Sequence, residues 1–488
     1  MSRRDGPTRH DLPTGRGRPT RHDWPERWGR REFVATACSG VALTLAGCAG
    51  SIGGTDDSGD GEAATSGRID PLGNDLAADS PMYTYGHVSD DGRWGVLGSF
   101  PASDSRVAST LYDLTDLEAP KLVHELDSVS EGTRTNDVKF DALRVGLYYR
   151  SQEADGMGGS GDGNGTDREG FEVVDFGWDE GTPEDPSVVG AVETPETGVH
   201  KLTTHPDEPI LYLVDVDPGS DVGVITVDVS EPSRPEIVET VGPPGGCHDV
   251  EYDPRREVLH AAYIFGQNEG YVIYDLDDPY RPAVLGQFEY ADEPDYETIG
   301  EPGFERCHQA HPDPDRDLAY VGDELDLGVP GGKHVFDVGW DEGSLEEPVP
   351  IGFTHAPDAR VMETSQLLWW TTHFHDVVHQ EDEVLLVDGG YRQGTWVCNV
   401  TDPREPRPTE RFATTVEGEE PPDHSTGTPA PATPPFAWSA VYNEERDFVL
   451  VSDSVTGVHT FSLTSEPTRG DDGGGPDGHF DLDSVLEE

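Results

Sequence analysis

Lysine is almost missing from this chain: four residues in 488, Lys121, Lys139, Lys201 and Lys333, against ninety-seven aspartates and glutamates. The formal net charge of −64 excludes a surface built to neutralise phosphates, so nucleic acid is not an expected partner. Cysteine is scarce as well. Of five, Cys38 and Cys48 fall in the N-terminal segment, leaving Cys247, Cys307 and Cys398. Three thiols allow at most one bridge, which excludes a disulfide-stapled scaffold. No run is long and apolar enough for a transmembrane helix, and no stretch keeps a helical hydrophobic period, which excludes helical repeats. There is no CxxC pair, no glycine-rich phosphate loop ahead of a helix, and no local nucleophile motif.

What the chain has in excess is dispersed acid, spread between apolar runs from end to end. Acid in this distribution, with lysine scarce, resembles the proteins of salt-loving archaea, where the Debye length falls to roughly 3 Å and self-repulsion is screened. The N-terminus has the opposite sign, with nine arginines in residues 1–31. The pair Arg30-Arg31 precedes a short apolar stretch and then "LAGC" at 45–48. The pair resembles a twin-arginine export signal, and "LAGC" resembles a lipobox in which Cys48 becomes the lipidated first residue. Residues 1–48 are therefore expected to be a lipoprotein signal, 49–81 a flexible Gly/Ser/Asp tether, 82–465 the folded domain and 466–488 an acidic tail. The expected location is the outer face of the cell membrane, with the lipid as anchor.

Self-similarity dominates the rest. Seven copies of an apolar strand end in Asp or a substitute and run into a Pro-containing turn, as in "VITVDVSEPSRP" (224–235), "YVIYDLDDPYRP" (271–282) and "TWVCNVTDPREP" (395–406). Asp, Ser and Thr bond back to the local backbone and turn the chain, while Pro prevents the strand from continuing. Each copy is preceded by a strand, a polar turn and a second strand, as in "CHDVEYDPRREVLHAAYI" (247–264) and "CHQAHPDPDRDLAYVGDE" (307–324). Four short strands in each of seven units predict an all-β fold, a seven-bladed β-propeller with four-stranded antiparallel blades. Residues 151–170 and 416–435 read as Gly- or Pro-rich surface loops. Either 479–485 or the segment before His87 is expected to complete the last blade.

The pattern carried by "GVITVDVSEPSRP" and "GYVIYDLDDPYRP" resembles the LVIVD repeat, named for an apolar strand ending in Asp. That resemblance spans nearly all of the chain after the signal and implies a cell-surface or secreted β-propeller without a particular activity. A more distant likeness is to the selenium-binding proteins, seven-bladed propellers that include metal-dependent methanethiol oxidases. The cysteine and histidine motifs of that family do not match onto this chain.

Aligning the seven openings puts His87, Asn136, His200, His248, His308, His375 and Trp438 at one equivalent position. In a propeller the first strand of each blade lines the channel, so five imidazoles would ring it. Such a ring has the donors for one copper or zinc ion, with Asp249 and Asp376 as acceptors that orient the rings. His205, His311, His373 and His379 lie nearby in sequence. Two other readings stay open: imidazoles bonding the backbone of the next blade, and a site for an anion or sugar. Alternation turns Cys247 and Cys307 away from the channel into the sheet packing, and Cys398 reads as core. Asn164 in "NGT" and Asn399 in "NVT" fit the glycosylation acceptor pattern. Two functions follow: a lipid-anchored surface binding module with a protein or carbohydrate partner, or a metal-dependent extracytoplasmic oxidoreductase using the channel histidines.

Overall fold

The turn chemistry read from the repeats is in place. Asp113, Asp228, Asp275 and Asn399 each end a strand and accept the backbone N–H two residues on, at 2.7–3.0 Å. In the two longer copies the carboxylate does more: Asp175 and Asp337 each take several consecutive loop N–H groups.

The computed structural model describes residues 69–75, 82–100, 106–128, 133–154, 169–194, 198–217, 223–291, 302–304, 306–324, 331–356, 370–414 and 435–464. Among these residues every regular element is a strand. After β1 (Ile69–Asp75), the first sheet is β2 (Met82–Val88), β3 (Trp94–Phe100), β4 (Val107–Asp113) and β5 (Lys121–Asp127). In the second, β6 (Thr133–Arg134) and β7 (Val138–Phe140) both pair with β8 (Leu147–Ala154), followed by β9 (Gly170–Asp175) and β10 (Ser187–Glu193). The third is β11 (Lys201–Thr204), β12 (Ile210–Val214), β13 (Val224–Asp228) and β14 (Glu236–Val241). The fourth is β15 (Gly246–Asp253), β16 (Val258–Phe265), β17 (Gly270–Asp275) and β18 (Ala283–Phe288). The fifth is β19 (Cys307–Pro312), β20 (Leu318–Asp323), β21 (Lys333–Asp337) and β22 (Val349–Thr354).

The remaining strands form one eight-stranded sheet made of two antiparallel halves. One half is β23 (Thr371–His379), β24 (Val384–Tyr391), β25 (Gly394–Asn399) and β26 (Arg407–Phe412). The other is β27 (Ala437–Asn443), β28 (Phe448–Asp453) and β29 (Gly457–Leu463), completed by β1. A single parallel pairing, Phe374 with Ser439, joins the halves. The last four-stranded unit is thus completed by the segment before His87, and Ile69–Asp75, expected within the tether, is a strand. Gly73 allows it: a Cβ there would lie 2.4 Å from the Leu117 carbonyl oxygen of the first sheet's turn.

First, second and third strands are almost wholly buried, whereas fourth strands such as Glu236–Val241 are half exposed. Side chains of the first strands tie neighbouring sheets together. Asp137 accepts from Leu202 N, Asp249 from Ala310 N and Asp376 from Tyr442 N, at 2.8–3.1 Å. Gln309 does the same for His375 N, and Ser439 Oγ accepts from Gly86 N. Where neighbouring first strands share no ladder, these bonds link their backbones and order the side chains between them.

Candidate metal centre

Local pairing re-aims the histidines. In β15 the register slips between Cys247 and Asp249, and in β19 between Cys307 and Gln309, so His248 and His308 are the extra residues of two β-bulges. A bulge puts the extra residue beside its successor instead of across the sheet, and such bulges recur near functional sites. The corresponding slip in β23 falls between Thr371 and Phe374, so His373 takes the place expected for His375.

The result is a continuous row of rings from four neighbouring sheets. Centroid separations are 4.1 Å from His200 to His248, 4.0 Å from His248 to His308, 4.3 Å from His308 to His373 and 4.8 Å from His373 to Trp438. Asn136 closes the near end, with its amide 3.1 Å from His200 Nε2. His375 lies two residues further along β23, toward Tyr320 and His311, about 6.6 Å down the strand. His87 is also apart from the row, packed on Phe140 and accepting its backbone N–H at Nδ1. Of the five predicted ring residues the structure therefore unites His200, His248 and His308, adds His373, and sets His87 and His375 apart.

Hydrogen bonds fix the tautomers. His200 Nδ1 is 2.9 Å from a carboxylate oxygen of Glu153, and His248 Nδ1 is 3.0 Å from the His308 carbonyl oxygen. Both acceptors require an N–H at Nδ1, so the buried, neutral His248 presents a lone pair at Nε2. That nitrogen is 2.8 Å from His200 Nε2. A proton or a cation shared between the two nitrogens satisfies the contact.

His308 has neither nitrogen bonded, although the residue is fully buried. Burial, the adjacent imidazoles and a nearby lysine (Lys201 for His248, Lys333 for His308) hold both well below the ordinary histidine range, so both are neutral at pH 7. Glu324 supplies the charge. Its carboxylate is 3.8 Å from His308 Nε2 and 3.7 Å from His373 Nε2, and donor atoms of His248, His308 and Glu324 all lie within 4.8 Å of one another. Ligands of a tetrahedral zinc stand roughly 3.4 Å apart, so small side-chain rotations bring this set onto one ion.

Other groups hold the row in place. Glu153 is ionised: burial alone would raise its pKa, but Arg134 and His200 hold it below the usual carboxylate range. His373 donates from Nδ1 to the Trp438 carbonyl oxygen (2.5 Å), and its Nε2 accepts from the Tyr391 hydroxyl (2.8 Å). Lys333 fixes the backbone beneath it, bonding both the His373 carbonyl oxygen (2.7 Å) and Asp388 (2.6 Å). Phe374 floors the row, 4.6 Å from His308. The orienting role expected of Asp249 and Asp376 belongs instead to Glu153, because both aspartates face the next sheet's backbone.

Sequence reasoning missed Glu153, Glu324, Tyr391 and the lysines. Three of the four lysines, Lys139, Lys201 and Lys333, are buried, and that scarcity was the available signal. Cys247, Cys307 and Cys398 are free and buried, with burial pushing each thiol up, so none is a nucleophile. Asn399 caps its turn through its oxygen, and its amide donates to Glu383. Arg30, Arg31, Cys48 and Asn164 lie outside the described residues. Among the described residues no helix is long and apolar enough to cross a membrane.

No family model and no curated protein matches the chain. Among solved structures it is similar to a functionally unknown protein from Desulfotomaculum acetoxidans DSM 771, at 12% identity over 72% of this chain and 88% of that one, with a TM-score of 0.46. A likeness of this extent decides neither fold nor function.

Proposed function

We propose that this chain is a seven-bladed β-propeller of the LVIVD-repeat type whose channel mouth binds one divalent transition-metal ion, zinc or copper, through His248, His308 and Glu324. In this reading it is exported, held at the outer membrane face by lipidated Cys48, and adapted to high salt; the signal-like N-terminus and dispersed acid support those parts. The seven four-stranded units and the bonds from β27 back to β2 support a closed ring. The observation that carries the metal is the buried His308 ring with neither nitrogen bonded, grouped with donor atoms of His248 and Glu324 that all lie within 4.8 Å of one another.

Three protein donors leave a coordination position open, which is the pattern of sites that bind or transform a small ligand rather than of closed structural sites. A bound ion would supply Lewis acidity or, if copper, one-electron chemistry. The chain's own residues position the rings through Glu153 and the His308 carbonyl, and exclude water with Phe374 and Trp438. The leading function is surface binding through this mouth. The alternative, an extracytoplasmic oxidoreductase, is favoured by Tyr391, whose phenol bonds His373 at the edge of the row.

The test is metal analysis of full-length protein purified in molar salt, with thermal unfolding of chelator-treated protein as metal is restored. About one equivalent of zinc or copper is expected, with Tm rising on its return and no rise in the His248→Ala, His308→Ala or milder Glu324→Gln variants. Metal-free protein whose Tm ignores both ions would overturn the proposal.

A further inference from the structure

We infer that the opposite mouth of the channel is a second, independent binding site for the hydroxyl groups of a neutral sugar. A cavity of about 720 Å³ opens there, lined among others by His87, Lys139, Glu251, His311, Asp376 and Tyr442. That volume falls within the usual range of small-molecule sites. The distance from His248 to Glu251 along β15 places it about 10 Å from the histidine row. Phe374 and Tyr85, edge to face at 5.0 Å, close the space between.

The cavity wall alternates donors with acceptors. Lys139 Nζ gives one N–H to Glu251 Oε1 at 3.1 Å and rests 4.8 Å above the Tyr85 ring, leaving two further donors. His87 accepts the Phe140 N–H at Nδ1; burial and Lys139 keep the ring neutral, so its proton is on Nε2, a further donor. On the acceptor side, Asp376 presents Oδ1 3.5 Å from His311 Nε2, and Glu251 presents its carboxylate beside Lys139. A sugar hydroxyl donates and accepts at once, and neighbouring hydroxyls suit donors and acceptors that alternate in this way. Tyr442, its hydroxyl tied to Asp447 at 2.9 Å, offers a fixed ring to the C–H face.

Charge narrows the ligand. Asp90, Glu444 and Glu445 also line the cavity and disfavour anions such as uronates and phosphates. Ammonium ligands gain little, because each inner carboxylate is already matched. Glu251 takes Lys139 and Thr203, and Asp376 takes the Val377 and Tyr442 N–H groups. Lys139 is itself a second, independent indication. In a chain with four lysines, one is kept at the base of this cavity.

Full-length protein in molar potassium chloride is titrated with methyl glucoside, methyl galactoside, methyl N-acetylglucosaminide and glucuronate, followed by calorimetry and saturation-transfer NMR. At least one neutral glycoside is expected to bind, with glucuronate roughly tenfold or more weaker. Tyr442→Ala and Asp376→Asn, which keeps an acceptor for Tyr442 N, should each weaken binding by roughly tenfold, the loss of one or two hydrogen bonds or a stacking face. The His248→Ala variant should bind sugar normally, so failure of the metal proposal leaves this one standing. It is overturned if no neutral glycoside of the panel binds, if glucuronate binds as tightly, or if both cavity variants bind like the parent.

Discussion

Lys201 is the most exacting test of the buried interior. Its ammonium is fully buried, 3.3 Å from Asp137 Oδ1 and 3.9 Å from Asp249 Oδ1, and is held between the rings of Tyr85 (3.3 Å) and Phe374 (4.3 Å). Lys201→Met keeps most of the volume and removes the charge. Two buried carboxylates then lose their shared cation, and breaking a buried pair in this way costs about 3–5 kcal/mol. For a cooperative unit of about 400 residues, ΔS of unfolding is roughly 0.8 kcal/mol/K, so Tm should fall by about 4–6 °C. The loss depends on pH. Burial raises Asp249 to about 7 even with Lys201 beside it, and without Lys201 it rises further. Above pH 7 the variant must bury an unpaired anion or bind a proton that the parent does not, so its deficit grows from pH 5.5 to pH 8. Lys201→Met with Asp249→Asn should recover about half, because the asparagine oxygen still accepts the Ala310 N–H. The assay is thermal and urea unfolding at constant molar salt. A single variant as stable as the parent at pH 8, or a deficit flat across that range, would show that the lysine does not neutralise these carboxylates.

Two further outcomes follow from the packing and the charges. Deleting Ile69–Asp75 uncovers one edge of β29, including buried Phe461 and Leu463, and frees the Glu410 carboxylate from the Ile69 N–H. The shortened chain should unfold at a Tm at least about 5 °C lower, given roughly 2 kcal/mol for each large apolar side chain uncovered; an unchanged Tm would mean that β1 does not complete the sheet. Burial, together with neighbouring lysines or imidazoles, holds His87, His248, His308, His373 and His375 below the ordinary range. Their neutral forms belong to the folded state, so their contribution is intact above about pH 6.5 and is lost as pH falls toward the depressed folded values. Each histidine then subtracts about 1.4 kcal/mol per pH unit, and metal-free protein should take up about four or five protons on unfolding at pH 5.5. An uptake of one or fewer, from the pH dependence of urea unfolding, would contradict this burial.

The strands and their turns were legible in the sequence because each rests on local chemistry. An apolar run, an Asp or Asn that caps, and a Pro that stops the strand recur together, and Asp228, Asp275 and Asn399 cap as expected. The site was legible only in part, because what assembles it is not local. Alignment by the word "HDV" selected His375, yet pairing shifts His373 into the row, and no residue of β23 announces that slip. The first sheet shows the same error: His87 aligns by sequence, but it packs on Phe140, away from the row. Glu153 was hidden inside 151–170, read as a loop, whereas β8 continues to Ala154. Period-2 alternation did place Cys247 and Cys307 in the packing, and the apolar repeat strand placed Cys398 in the core, since each needs only the strand itself. Ile69–Asp75 was lost to the Gly/Asp-rich composition around it, which resembles a linker.

The buried lysines answer a problem peculiar to repeated folds. Units built on one pattern present nearly the same faces to any neighbour, so apolar packing alone discriminates poorly between correct and shifted arrangements. Ion pairs contribute little net stability against well-packed apolar residues, yet a mispaired one is expensive, which makes them selective. Each of these lysines reaches out of its own sheet. Lys201 of the third lies between Asp137 of the second and Asp249 of the fourth. Lys333 of the fifth bonds Asp388 and the His373 backbone, in the half formed by β23–β26. Lys139 of the second reaches Glu251 of the fourth, past Thr203 of the third, which shares the same carboxylate. Any exchange of neighbours would leave a buried ammonium facing no anion. An acid-rich chain that keeps almost no lysine on its surface therefore has reason to keep three inside, where each pairs with a carboxylate of another sheet.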